Sequence, residues 1–515
     1  MTSRMPGLIL TLLATSAVVV PAYQPAAQSR ACASLSSLAI PDVTISSAAD
    51  VAAGPFSAPG SGRPMTVPVF CRVAAVAAPT ADSHINIEVW IPPAPAWNGK
   101  LLGTANGGFS GAIGYAAMAA GLAKGYATVG TDTGHVGDQM DFGRGHPEKI
   151  IDWGYRSIHV MTDVAKLVVR SAHGHFPERA YFEGCSTGGQ QALSEAQRFP
   201  RDYDGIVAGD PGHNRLRLIL GFLWGWIALH GDDGRPIVPA AKLSIITKTA
   251  VEACDAKDGL RDGIIGDPST CAFKASALAC GSAAGDTCLT PPEVTAVQKV
   301  YDGARNPRSH EQIFPGWARG SEQGWGTYLL NPQEPMRSGF FRDFAFHDPA
   351  WDRRTFDWDR DVAFVDSAVP ALSATSRDLS AFRASGGKLI MYTGLADPVV
   401  PPQDTVNYYE AVVREMGGLT GTQKFFRFFP VPGMGHCSGG AGPSTFDALG
   451  ALDAWVERGV APESIVASHA TGGAVDRTRP LCAYPKQARY NGTGSIDAAA
   501  SFTCAAPPVA AAPAR

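Results

Sequence analysis

Three side chains in this sequence have the types and the order needed for nucleophilic acyl transfer: Ser186, Asp397 and His436. A serine hydroxyl attacks a carbonyl only when a base takes its proton. The imidazole that does so needs a carboxylate to fix its tautomer and stabilise its charge. Ser186 lies in Gly184-Cys185-Ser186-Thr187-Gly188-Gly189, after the apolar run Ala180-Tyr181-Phe182 and before a helix-like pattern from Gln190 to Arg198. Strand, tight turn and helix, with Gly-x-Ser-x-Gly across the turn, form a nucleophile elbow. The bend is so sharp that side chains two positions either way collide with neighbouring backbone, and glycine removes the collision. The hydroxyl then stands proud of the sheet, beside helix N-terminal N–H groups that stabilise an oxyanion. A purely structural glycine turn carries the same pattern, so the elbow alone does not decide.

The other two residues strengthen it. Lys388-Leu389-Ile390-Met391-Tyr392 reads as a strand running into Thr393-Gly394-Leu395-Ala396-Asp397. Lys424 to Phe429 reads as a strand followed by Pro432-Gly433-Met434-Gly435-His436-Cys437. Both residues follow a strand end, where α/β sites are built, and the order Ser, Asp, His is that of α/β-hydrolases. His135, His159, His213 and His347 compete for the base, and Asp397 before Pro398 also reads as a turn residue. Oxyanion donors are expected from the N–H groups of Gly108, in the turn Asn106-Gly107-Gly108-Phe109-Ser110-Gly111, and of Thr187. Gly107 is the neighbouring candidate, and a merely flexible loop is the alternative.

The elements that must position these groups alternate. His84 to Pro92, Lys100 to Gly103 and Tyr126 to Gly130 read as strands, and Asp152 to Arg170 carries helical periodicity. Tyr408 to Met416 and Ser444 to Arg458 read as later helices. The class is α/β, an α/β-hydrolase fold whose largely parallel sheet is covered on both faces. The rhythm stops from about 213 to 375, a stretch rich in Trp, Gly, Asp and Pro. We therefore divide the chain into a signal peptide (1–27), a first core part (28–212), an inserted lid domain (213–375), a second core part (376–504) and a disordered tail (505–515).

The 515 residues, with Gly 57, Pro 39, 45% hydrophobic and 17% charged, suit a large, loop-rich globular chain. A net charge of -4 without a basic run leaves no electrostatic footprint for nucleic acid. Arg4, an apolar run from Leu8 to Val20 and small residues at Ala22, Ala26 and Ala27 read as a cleaved secretory signal rather than a membrane anchor. The expected location is secreted or periplasmic, with no membrane attachment after cleavage. Ten cysteines, an even number, imply an oxidising compartment. Eight fall in local pairs: Cys32 with Cys71, Cys254 with Cys271, Cys280 with Cys288, and Cys482 with Cys504. Cys185 and Cys437 remain, each adjoining a proposed catalytic residue. If Ser186 and His436 meet, these neighbours come within disulfide distance, about 5.5 Å between Cα atoms.

Within the inserted stretch, Asp255, Asp258 and Asp262 sit in a short loop bent by Gly259 and Gly263. Hard oxygen ligands with glycine turns suit Ca²⁺, and the carbonyls of Leu260 and Ile264 complete the set. The closing Glu of an EF-hand is absent. A structural calcium is expected, the alternative being a solvated acidic loop held by Cys254–Cys271.

Together these residues resemble the tannase/feruloyl esterase family. The likeness covers nearly the whole mature chain. It rests on the elbow, the Asn106-Gly107-Gly108 turn, Gly394-x-x-Asp397-x-x-Val400-Pro401, Gly433-Met434-Gly435-His436-Cys437 and the acidic loop. The Cys-Ser and His-Cys neighbours set this family apart from other α/β-hydrolases. The resemblance implies a lid with bound calcium, a Cys185–Cys437 disulfide, and hydrolysis of aromatic carboxylic esters, feruloyl or galloyl in type. The expected partner is a small aromatic ester, free or carried on plant polysaccharide or tannin. A mono(2-hydroxyethyl) terephthalate-type hydrolase is the alternative within the family, although Thr187 stands where such enzymes have Glu. An aryl pocket is expected from Trp317 to Tyr328 and from Phe340-Phe341-Arg342-Asp343-Phe344, with Arg342 the candidate for a substrate carboxylate. A serine peptidase and a catalytically silent binding protein are the readings from other classes.

Overall fold

The computed structural model describes residues 1–2, 31–60, 62–281, 285–331 and 334–507. The signal-peptide expectation and the tail beyond 507 lie outside these residues.

Nine strands form the central sheet: β1 (Val43–Val51), β2 (Phe70–Ala77), β3 (Ile85–Ile91), β4 (Lys100–Thr104), β5 (Ala127–Thr131), β6 (Arg179–Cys185), β7 (Gly205–Gly209), β8 (Lys388–Gly394) and β9 (Phe426–Val431). Their spatial order is β1-β2-β3-β5-β4-β6-β7-β8-β9. Pairings from β1 to β5 are antiparallel, and from β5 to β9 all are parallel. The α/β class expected from the alternation is what forms. The exchange of β4 and β5 sets the glycine-rich turn after β4 beside the elbow strand β6.

The parallel strands read as continuous apolar runs because both faces are covered. Phe182, Ile206, Met391 and Phe428 face one layer, packed by helices Ser157–His173, Thr187–Arg198 and Pro402–Glu415. Tyr181, Val207, Ile390 and Phe429 face the other, under helix Ala448–Arg458. Neighbours in sequence take opposite sides because the strand period is two. The helical periodicity from Asp152 resolves into a wide π turn, Asp152–Arg156, and the α-helix Ser157–His173.

After β7 the chain leaves the sheet and builds a second core. Helices Arg215–Leu229, Leu243–Cys254 and Pro291–Asp302 bury Leu218, Phe222, Ile246 and Val297 with Trp317 and Trp325. Val399 and Val400, just past β8, belong to the same cluster, so this segment rests on the turn that carries Asp397. A third cluster joins Phe109 and Trp153 to Leu220, Phe340, Phe341 and Phe344. By Ala374, Leu379 and Phe382 the chain packs again in the core of the sheet.

Five disulfides follow the expected pairs, Cys185–Cys437 and the four local ones, with no free cysteine among the described residues. The Cys482–Cys504 bond ties strand Phe502–Ala505 to the C-terminal segment, so Ala505, expected in the tail, is still paired strand. Among the described residues no helix is long and apolar enough to cross a membrane.

Candidate active site

The sharp bend read from the elbow is present. Ser186 has φ 65° and ψ −117°, a conformation that costs L-residues energy and persists only when the surroundings enforce it. The enforcement is visible. The Ser186 N–H donates to the Gly209 carbonyl at 2.9 Å, and its carbonyl accepts from Gln190 and Gly212, each at 3.1 Å. The flanking glycines are required by a neighbour the sequence did not name. A Cβ on Gly184 would lie 2.6 Å from the Ala105 side chain and 2.6 Å from the Gly188 carbonyl oxygen, and one on Gly188 would lie 2.5 Å from Ala105. Ala105 directly precedes the turn after β4, so the glycines let that turn press against the elbow. Helix Thr187–Arg198 starts immediately after the serine.

β6, β8 and β9 deliver Ser186, Asp397 and His436 to one edge of the sheet. The His436 Nδ1–H donates to Asp397 Oδ2 at 2.8 Å, which leaves Nε2 to accept the Ser186 hydroxyl at 2.8 Å. Asp397 is fully buried, and its Oδ1 accepts the N–H groups of Val399 at 2.6 Å and Val400 at 3.0 Å. Burial pushes the His436 imidazole down, but the charge and hydrogen bond of Asp397, with the charge of Asp210, outweigh it; Arg215 opposes them, and the pKa is raised. Cys185 and Cys437 close the arrangement, with Cα atoms 5.9 Å apart.

The expected oxyanion residues also meet. The Thr187 hydroxyl donates to the Gly108 carbonyl at 2.7 Å, and Gly108 has φ +58°, a left-handed conformation that glycine adopts freely. Asn106 pins this turn: its Nδ2 donates to the carbonyls of Ala112 at 2.7 Å and Thr131 at 2.8 Å. A serine hydroxyl on an oriented histidine, at a helix start that touches a glycine turn, is the kind of arrangement acyl transfer uses.

The tannase and feruloyl esterase family model matches residues 71–505. The chain belongs to the tannase and feruloyl esterase family. An uncharacterized esterase of Xanthomonas campestris is 39% identical over 99% of this chain and 98% of the relative. Mono(2-hydroxyethyl) terephthalate hydrolase of Piscinibacter sakaiensis is 35% identical over 89% of this chain and 88% of that enzyme. The crystal structure of feruloyl esterase B from Aspergillus oryzae superposes with a TM-score of 0.85 at 29% identity, covering 92% of this chain and 100% of that one. As a member of this family the protein is a carboxylic ester hydrolase with an α/β-hydrolase fold.

Other expectations for this esterase are corrected by the structure. Phe340, Phe341 and Phe344 are fully buried, as are Trp317 and Trp325, so these rings serve mainly as core, with Trp317 also bordering a cavity that lacks Ser186 and His436. Large rings stabilise most when wholly removed from water. Half-buried Tyr328 is the exception. Arg342 gives both ends of its guanidinium to Glu334, at 2.9 and 3.2 Å. The arginine set against the glycine turn is Arg337, which a Cβ on Gly108 would meet at 2.8 Å and whose guanidinium lies 5.1 Å from the Phe109 ring. Burial pulls its pKa down, against Asp138 and Tyr328. The competing histidines are engaged elsewhere: His135 with the Phe109 carbonyl, His159 with Asp202, and His213 with the Pro211 carbonyl, while His347 is exposed.

Three further groups of this family member escaped the sequence reading. Arg215 is buried; its Nη2 donates to Thr187 Oγ1 at 2.8 Å, and Nε and Nη2 donate to Gln190 Oε1 at 2.9 and 2.7 Å. Burial, with Arg337 second, holds its pKa down to about 9. Asp210, past β7, is buried beside Asp397 and His436. Nothing in the local sequence marked Arg215 or Arg337; Asp210 carried one signal, its place at a strand end. A cavity of about 670 Å³, lined by Leu395, Pro402, Tyr484 and Arg479 among others, includes neither Ser186 nor His436.

The acidic loop offers oxygen donors of the kind a hard divalent cation takes, although Asp255, Asp258 and Asp262 are not among the clusters of described residues whose ligand atoms converge within 4.8 Å. Burial raises the Asp258 carboxyl, the Leu260 N–H lowers it, and the like charges of Asp262 and Asp255 raise it further. A cation among these oxygens would relieve that repulsion. In the structure the carboxylates turn to other partners. Asp255 accepts the N–H groups of Asp262 at 3.1 Å and Gly263 at 3.0 Å, and Asp262 Oδ2 accepts from Arg479 at 2.7 Å.

Proposed function

We propose that this protein is an exported serine esterase that cleaves esters of aromatic carboxylic acids through an acyl-enzyme. The observation that carries the reading is the unbroken line Ser186–His436–Asp397, with both hydrogen bonds at 2.8 Å. Ser186 Oγ attacks the ester carbonyl as His436 Nε2 takes its proton. Asp397 holds the ring and stabilises the imidazolium. The N–H groups of Gly108 and Thr187 receive the oxyanion; His436 then protonates the leaving alcohol, and water reverses the sequence to free the acid. The aromatic class follows from family membership, and Arg337, set against Gly108, and its neighbour Tyr328 are the side chains on offer to the acyl group. Feruloyl- and galloyl-type esters are the first candidates. The segment between β7 and β8 would act as the lid over Ser186. Five disulfides support export. Ca²⁺, held by Asp255, Asp258, Asp262 and the carbonyls of Leu260 and Ile264, would stabilise the inserted segment and take no part in the chemistry.

A second reading is favoured by Arg337. A guanidinium whose nearest carboxylate, Asp138, is 3.9 Å away, set against Gly108, suits an acyl group bearing a second carboxylate, as in a terephthalate monoester. The test is hydrolysis of methyl ferulate, methyl gallate, chlorogenate and mono(2-hydroxyethyl) terephthalate by wild type and Ser186→Ala. Turnover lost in the variant is expected. Absence of turnover of every ester by folded, calcium-supplied protein would sink the aromatic-ester reading. Preference for the terephthalate ester, lost in Arg337→Gln, would select the second reading.

A further inference from the structure

Asp210 stands outside the line from Ser186 to Asp397, yet it is fully buried beside it. It lies just past β7 with φ 34°. Its Oδ1 accepts the Gly394 N–H at 2.6 Å and the Thr393 hydroxyl at 3.2 Å, while Oδ2 accepts the Cys437 N–H at 2.9 Å. Gly394 leads into Asp397, and Cys437 follows His436. One carboxylate therefore grips both segments that deliver the acid and the base. All three partners are donors, an arrangement that suits an ionised carboxylate, which only accepts. Asp210, Asp397 and His436 each offer an atom within 4.8 Å of the other two. The charged groups around His436 are thus Asp397 in direct hydrogen bond, Asp210 beside it, and Arg215 of opposite sign from the helix after β7.

We propose that Asp210 is a second acid of the site. It is a positioning residue that holds the Gly394 and Cys437 segments and adds its negative charge to that of Asp397 in supporting the imidazolium of His436 during acyl transfer. The proposal rests on the Ser-His-Asp mechanism above. Burial and then Asp397 raise the Asp210 carboxyl, against His436 and the N–H donors of Gly394 and Cys437.

The experiment is the pH profile of kcat/KM on one aromatic ester for wild type, Asp210→Asn and Thr393→Val. His436 must be neutral to take the Ser186 proton, so kcat/KM rises as the imidazole loses its proton. A neighbouring negative charge moves that rise to higher pH. In Asp210→Asn the midpoint of the acidic limb should fall by about half a unit or more, with kcat reduced and KM little changed. Thr393→Val removes one donor from Asp210, disfavours its ionised form, and should shift the limb the same way by less. A lowered kcat with an unmoved limb in both variants would reduce Asp210 to a structural tie and overturn the proposal. Should Asp210→Asn fail to fold, Thr393→Val is read together with NMR titration of the His436 ring in wild type. That titration must show a second step from Asp210, and a single step overturns the proposal. Ser186→Ala is the separate control: turnover persisting there would refute the mechanism itself, whatever the limb does.

Discussion

The Arg215 guanidinium donates to the Thr187 hydroxyl at 2.8 Å, and that hydroxyl donates in turn to the Gly108 carbonyl at 2.7 Å. The two residues proposed to supply the oxyanion N–H groups are thus joined through one side chain to a buried cation, for which no ion pair is found among the described residues. Thr187→Val keeps the shape and cuts the link. It should lower kcat/KM roughly tenfold to a hundredfold, by misplacing donors that act only on the transition state. Thr187→Ser should stay near wild type. Steady-state kinetics of the pair decide; an equal loss in Thr187→Ser, which keeps the hydroxyl, would show that the link does not account for the effect.

Arg215 also bears on the base. Its positive charge lowers the pKa of His436, so Arg215→Met should move the acidic limb of kcat/KM to higher pH, opposite in sign to Asp210→Asn. The two profiles measured together test whether the site is tuned by charges on both sides. A shift of the same sign in both would contradict that picture.

The Cys185–Cys437 bond spans 252 residues and ties the loops of nucleophile and base. Removing a native disulfide costs about 2–5 kcal/mol. Cys185→Ser with Cys437→Ser should therefore lower Tm in calorimetry and reduce kcat more than KM, because the two loops lose their fixed separation. An unchanged kcat at a temperature where the variant is folded would show that packing alone holds the pair.

Glu195 is fully buried on helix Thr187–Arg198, beside Asp202. Burial, and then Asp202, raises its pKa well above the ordinary value. A raised folded-state pKa means that its contribution is full below the unfolded pKa and is lost as pH rises toward the folded one. Glu195→Gln should thus gain Tm over wild type at pH 8 and little or nothing at pH 4. A Tm difference independent of pH would show that Glu195 folds ionised.

Calcium is tested by binding and stability rather than turnover. Titration of Ca²⁺ into chelator-treated protein should raise Tm with a one-to-one heat of binding, and Asp258→Asn should abolish both. No heat and no change in Tm would leave the acidic loop as one closed by its own backbone and Arg479.

Much of the site was legible because its residues obey local rules. Ser186 announced itself through the glycines two positions away, and Asp397 and His436 through the strands before them. The apolar runs of β6 to β9 reflect burial on both faces, a property each strand carries alone. The aromatic runs misled for a related reason. A ring that lines a pocket and a ring that fills a core are spelled alike, and only the packing of Phe344 on Phe109 and Trp153 separates them.

By itself the sequence determined the α/β order of elements, the serine, aspartate and histidine that meet at one sheet edge, the disulfide partners and the family, because steric bends, strand periodicity and cysteine neighbours are short-range signals. Only the tertiary structure decided which charges surround them. Arg215 and Asp210 reach the site from just past β7, and Arg337 comes from far along the insertion, while Arg342, five residues further, is spent on Glu334. Electrostatic partners act across space with no fixed sequence spacing, so their pairing exists only once the sheet has brought the strand ends together.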